Sequence, residues 1–135
     1  MKGERMINAK KLTKKEQTRN KSLMEDIIKY LYEHDLFEDV CIYTNGHLFS
    51  CDKKDGAIPC SIFQYTYYDH GEWDVQSQIE YNNPNTVTMT FEGPLYEAYN
   101  RYIPHAHAED DIQQIADKYG LYAEQGYAWS LAFYE

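Results

Sequence analysis

The stretch "HAHAEDD", residues 105 to 111, sets two imidazoles two positions apart with three carboxylates directly behind them. In an extended segment His105 and His107 project to one side. They could offer two ligands to a transition metal, with Glu109, Asp111 or the distant His70 as a third. Zinc asks for three or four ligands on a rigid frame, and the spacing supplies no frame, so no metal or other cofactor is assigned and the segment reads as a solvated loop entering an acid-capped helix. Nucleophilic catalysis needs a thiol or hydroxyl beside a base. Cys41, Cys51 and Cys60 and five histidines are present, but no spacing selects a pair. The segment "TNGHLFSCDKKDG" is no phosphate loop, since its glycines do not open a helix and no Gly-Lys-Ser/Thr follows. No catalytic residue is assigned; a small enzyme or metal-dependent ligand-binding domain around His105 and His107 stands as the alternative to a non-enzyme.

A second concentration of chemistry lies in "SIFQYTYYDHGEWD", residues 61 to 74. On a strand, Phe63, Tyr65 and Tyr67 share one face and Ile62, Gln64, Thr66 and Tyr68 the other. Aromatic platforms for single-stranded nucleic acid need basic residues to hold phosphates, and this stretch supplies Asp69, Glu72 and Asp74 instead. The composition suits either sheet core or a tyrosine-rich protein-binding patch, because tyrosine buries a large area while keeping a polar tip.

Charge divides the chain sharply. The formal net charge is -9, yet residues 1 to 21 hold eight Lys/Arg against Glu4 and Glu16, leaving 5 Lys/Arg against 20 Asp/Glu in residues 22 to 135. A body at -15 repels phosphate backbones and attracts basic surfaces, so the body is expected to bind no nucleic acid directly. Carboxylates in rows can imitate a phosphate backbone. Glu25, Asp26, Glu33, Asp35, Glu38 and Asp39 form one candidate row, and Glu109, Asp110, Asp111 and Asp117 another. With Tyr65, Tyr67, Asp69, Glu72 and Asp74 they make the expected partner-binding surface. Small acidic α+β domains of this character are similar in general terms to antirestriction, anti-CRISPR and nuclease-immunity proteins, although no motif ties the chain to one family. The expectation is a non-enzymatic inhibitor or immunity protein that mimics nucleic acid and engages a basic protein partner, such as a nucleic-acid enzyme. A nucleic-acid accessory factor working through the basic leader is the other alternative.

Length and composition bound these readings. A chain of 135 residues is the size of one domain, and 43% hydrophobic content argues against disorder. No apolar run approaches the 18 residues of a membrane span. "MKGERMINAKKLTKKEQ" lacks the apolar core of a secretory signal, and an odd count of irregularly spaced cysteines suits small packing residues in a reducing compartment, so a cytoplasmic location is expected.

The positioning elements follow from periodicity and turn chemistry. Residues 1 to 21 form a basic, flexible leader with no apolar face, and residues 22 to 135 one acidic domain. Leu23, Met24, Ile27, Ile28 and Leu31 recur at helical spacing. Ser22-Leu23-Met24-Glu25 is the nearest capping box, Thr13-Lys14-Lys15-Glu16 an earlier one, and the helix should end near His34. Asn45-Gly46 predicts a two-residue hairpin pairing Thr44 with His47, Ile42 with Phe49 and Val40 with Cys51, which turns Cys41 and Cys51 to opposite faces. A loop "DKKDGAIP", a strand "CSIFQYTYY" and a turn "DHGE" come next. A second hairpin joins "WDVQSQIEY" to "TVTMTFEG" with Tyr81 opposite Val87 and Ile79 opposite Met89. Two helices follow, "PLYEAYNRY" ending at Pro104 and another over about 107 to 119 stopped by Gly120. A final strand carries Tyr127, Trp129, Leu131 and Phe133 on one bulky face. The sum is α+β: a mainly antiparallel sheet of about five to six strands with N-terminal and C-terminal helices on one face.

Overall fold

The structure is a computed structural model that describes residues 9–50, 58–60, 65–102 and 107–135. Side chains at 58–60, 65 and 66 fall outside that description, as do residues 52–57 of the expected loop after Ser50, Cys51, Phe63, His105 and Pro104, while Ile58 and Pro59, expected in that loop, are in a strand. The element order is α1 (Lys14–Glu33), β1 (Val40–Thr44), β2 (His47–Ser50), β3 (Ile58–Cys60), β4 (Tyr65–Glu72), α2 (Val75–Gln78), β5 (Val87–Phe91), α3 (Gly93–Tyr99), α4 (Ala108–Asp117), β6 (Tyr122–Gln125) and β7 (Ser130–Tyr134).

The first helix starts at the earlier of the two capping boxes. Thr13 Oγ1 accepts from Glu16 N at 3.1 Å, and Glu16 Oε1 accepts from Thr13 N at 3.0 Å. Lys10 Nζ lies 2.6 Å from the same carboxylate, and chiefly through this lysine the Glu16 pKa drops to about 2. The start expected at Ser22 is therefore corrected: Lys14 to Lys21 are helical, and the expected leader ends inside α1. The reason is Asn20, which continues the buried stripe of Leu23, Met24, Ile27, Ile28 and Leu31 and is itself fully buried. Its Nδ2 donates to Asn45 Oδ1 and to Asn85 O, both at 3.1 Å, while Arg19 donates to its Oδ1. A count of apolar residues cannot see a core position filled by an amide.

The strands form an antiparallel sheet in the order β3-β4-β2-β1-β5-β7-β6, seven strands among the described residues. The first hairpin has the register that Asn45-Gly46 implies, Thr44 opposite His47 and Ile42 opposite Phe49, with both turn residues at positive φ (52° and 73°). Register then aligns Phe49, Ile42, Met89 and Leu131 as one row across four strands, and the last three are buried against the apolar stripe of α1. α1 packs on β1, β4, β5 and α4, and α4 also packs on β6 and α3. Gln113 of α4 covers the edge strand, its Oε1 accepting from Ala123 N at 2.9 Å and its Nε2 donating to Leu121 O at 3.4 Å. No helix among the described residues is long and apolar enough to cross a membrane.

Several expected elements are overturned. The single strand read in "CSIFQYTYY" is divided, with Cys60 in β3 opposite Tyr65 in the antiparallel β4. The second hairpin does not form: Asp74 caps one helical turn, α2, and β5 pairs with β1 and β7 instead. Val75 and Ile79, both buried, stand four apart, a helical spacing that the apparent alternation concealed. The closing strand is also split. Tyr127 and Trp129 belong to the turn between β6 and β7, where Gly126 N donates to Ser130 O at 3.1 Å, while Leu131 and Phe133 are core. "DHGE" is not a turn either but the end of β4, with Glu72 opposite His47.

Candidate binding cleft

The opposite face of the same register carries the row Ser50, Cys41, Thr90 and Ser130. Small side chains leave room, and Ser50, Cys41 and Thr90 form the floor of an open cleft of about 570 Å³. Leu48 and Ile79 give it apolar surface, His70 of β4 borders it, and Trp129 rises from the β6–β7 turn. Asp39 and Glu92 bring carboxylates to it, and among the described residues no Lys or Arg lines it. The backbone holds these groups together: Phe91 N donates to Trp129 O at 2.9 Å and Glu92 N to Asp39 O at 3.0 Å. Gly93 has a φ of 63°, where a Cβ would come within 3.3 Å of Asp39 Oδ2, so any other residue would be strained beside that carboxylate.

An aromatic ledge backs the cleft. Tyr127 stacks on Trp129 with ring centroids 5.0 Å apart and planes at 14°, and Tyr81 meets Tyr127 edge-on at 4.9 Å. Tyr127 Oη donates to Glu80 Oε1 at 2.5 Å, and this bond above all pushes the phenol up to about 12. Trp129 and Tyr127 remain 40% and 38% exposed, so the ledge is both ordered by contacts and open to a partner. The close approach of the chain to Tyr81 depends on Gly126, whose added Cβ would lie 2.5 Å from Tyr81 Cβ. Gly126→Ala should therefore cost about 1–3 kcal/mol in urea unfolding and weaken the near-ultraviolet circular dichroism of the ring stack. Unchanged values of both would show that the ledge has slack.

The cleft is poorly equipped for covalent chemistry. Burial, reinforced by the Asp39 carboxylate, pushes the Cys41 thiol up, which keeps it protonated near neutrality. Ser50 Oγ lies 2.7 Å from His70 Nε2, a nucleophile–base spacing. The adjacent acid does not complete a triad: Asp69 is occupied by His47 Nδ1, at 3.1 Å, and by Gly71 N, at 2.7 Å. Burial alone would raise the Asp69 carboxyl, but these bonds outweigh it and hold it below the usual range.

No protein family model and no solved structure matches the chain. Three mouse (Mus musculus) proteins are similar to it. TD and POZ domain-containing protein 1 and TD and POZ domain-containing protein 1-like are each 28% identical, and TD and POZ domain-containing protein 3 is 26% identical, over 102 residues. Each match covers 73% of this chain and 27% of the relative, so the chain spans about a quarter of the length of these proteins.

The residues singled out from sequence are dispersed. Tyr30 Oη donates to Asp111 Oδ2 at 2.8 Å, and Tyr119 Oη donates to Asp26, so a reciprocal pair of Tyr–Asp bonds clasps α1 to the α4 end. Burial and then Asp26 push Tyr119 up to about 12. Lys118 also reaches Asp26, and Arg101 reaches Glu109 at 2.9 Å. Glu25 is half-buried; Glu33, Asp35, Glu38, Asp110 and Asp117 are exposed, and of the first row Asp39 alone lines the cleft. Tyr67 packs edge-on against Phe49 at 5.8 Å, Asp74 caps α2, and Glu72 is exposed beside His47. Tyr65 sits in β4 opposite Cys60. His107 precedes α4 without a side-chain cap bond, and among the described residues no group of three His, Cys, Asp or Glu is placed to hold a metal. Tyr81, Trp129, Glu92 and His70 gain their importance only from the fold. Gly126 was the one local signal, since a glycine between "YAEQ" and "YAWS" marks a turn there.

Proposed function

We propose that this chain is a cytoplasmic, non-enzymatic protein-binding domain whose acidic, aromatic cleft engages a basic protein partner, most concretely a nucleic-acid-processing enzyme that it inhibits by occupying the basic groove. The observation that carries the reading is the cleft itself: exposed Trp129, with Tyr127 stacked on it, shares a wall with Asp39 and Glu92, and among the described residues no Lys or Arg lines it. Exposed aromatic rings with neighbouring charge are the usual anchors of protein interfaces. The mouse relatives are named for domains and not for a reaction, which is in keeping with a binding module. Within the cleft, a nucleophilic role is disfavoured by the raised Cys41 thiol and the incomplete Ser50–His70 pair; the enzyme alternative around His105 and His107 is a separate one, with His105 outside the described residues, and the accessory alternative is disfavoured by the folding of Lys14 to Lys21 into α1.

Affinity capture from the source cells, run with the chain and with Asp39→Lys/Glu92→Lys, tests this. A basic protein should be retained by the unaltered chain, released by several hundred millimolar salt, and bound at least about tenfold more weakly by the variant. Retention that ignores both changes, or tight binding of duplex DNA by the chain itself, would overturn the reading.

A further inference from the structure

We propose that the Trp129 end of the cleft is a receptor for an arginine side chain of the partner; the proposal rests on the protein-binding reading above and deepens it. One indole face is taken by Tyr127, stacked at 5.0 Å and 14°, which leaves the other for a ligand, and Trp129 lines the cleft. A guanidinium stacks flat on an indole, is more weakly hydrated than an ammonium, and keeps its in-plane N–H groups for acceptors at the ring's edge. Those acceptors are present. The Phe91–Trp129 and Glu92–Asp39 backbone bonds put the indole and the carboxylates of Asp39 and Glu92 on neighbouring segments of one wall. The floor of Cys41, Ser50 and Thr90 supplies depth without positive charge, and Leu48 and Ile79 give the aliphatic stem an apolar surface. Charge complementarity thus selects a cation, and the free indole face selects a planar one. A nucleobase would stack as well, but its phosphate would meet the two carboxylates.

The test uses the full chain carrying Trp73→Phe, which makes Trp129 the one indole present. The probe is a blocked Arg-Gly-Arg-Gly-Arg peptide, compared with its Lys-Gly-Lys-Gly-Lys counterpart. The arginine peptide should change Trp129 emission saturably and bind about fivefold or more tightly than the lysine peptide. Asp39→Asn/Glu92→Gln should weaken it about tenfold. Asparagine tolerates the positive φ of 56° at position 39, so this variant keeps the local backbone. Calorimetry on Trp129→Ala, and on Trp129→Leu should the first variant fail to fold, should show a similar loss. Equal binding of the two peptides, or binding that survives loss of the indole, would reduce the interaction to surface charge and overturn the arginine site. No binding of either peptide would overturn it as well. In each of these cases the capture experiment with Asp39→Lys/Glu92→Lys decides separately whether the protein-binding reading stands.

Discussion

Deleting residues 1–21 is expected to lower the thermal midpoint by roughly 10–20 °C or to abolish the cooperative transition, although the basic composition of that stretch points to a dispensable arm. The deletion removes the Thr13–Glu16 capping box, a contribution of about 1 kcal/mol. It also removes Asn20, whose amide ties α1 to Asn45 and Asn85 from a fully buried position. Stranding those partners costs about 2–3 kcal/mol, and the shortened helix would expose one end of the stripe beginning at Leu23 and Met24. Losses of this size in a domain of this length correspond to the stated shift. Asn20→Ala alone should reproduce about half of it, whereas Lys14→Ala and Lys15→Ala, on exposed positions, should change little. Melting curves for the four variants are sufficient; an unshifted midpoint for the deletion would mean that the helix does not depend on its first two turns.

Asn83→Asp is expected to destabilise the protein by about 3 kcal/mol above neutral pH and to recover part of that loss as the solution is acidified. Asn83 is 5% exposed; its Nδ2 donates to Phe133 O at 2.8 Å and its Oδ1 accepts from Asn85 N at 3.0 Å. An aspartate there would hold a carboxylate oxygen against the Phe133 carbonyl, which also accepts from Thr86 Oγ1. Burial and repulsion would raise the folded-state pKa above the unfolded one. The penalty is then complete above the folded pKa, shrinks as pH falls through it and disappears below the unfolded pKa, where the neutral acid can donate to Phe133 O. The native Asp69 acts in the opposite sense: its lowered pKa gives stability that is present above the unfolded value and lost as pH falls through the folded one. Urea titrations at several pH values should therefore show the Asn83→Asp variant closing its gap to the parent in acid. A gap independent of pH would mean that the new side chain escapes to solvent.

Local chemistry was sufficient wherever an element is specified by its own residues. Asn45-Gly46 adopts the two left-handed conformations of a tight hairpin and so sets the β1–β2 register without outside help. The acidic first turn of α4 and the positive φ of Gly120 after it mark that helix at both ends. The stripe from Leu23 to Leu31 makes the body of α1 legible, and the α+β class with an antiparallel sheet follows from the order of such elements. The acidic balance of the chain was equally plain.

What depended on tertiary structure was the choice among local signals of similar strength. Thr13 and Ser22 both begin capping-box sequences, and the contacts of Asn20 with two distant loops favour the first. The strand Val87–Phe91 could have paired with its predecessor in sequence; it pairs with β1 and β7 because Met89 then joins the row of Ile42 and Leu131 over α1. Asp26 and Asp111 look like parts of a bare acidic row, yet each is bound by a tyrosine from the other helical region. The cleft is the furthest from sequence of all: Asp39, Cys41, Ser50, Thr90, Glu92 and Trp129 come together only through the register of four strands and one turn. A one-residue slip in any of those pairings would send its side chains to the other face of the sheet, so the site exists only once the whole sheet is assembled.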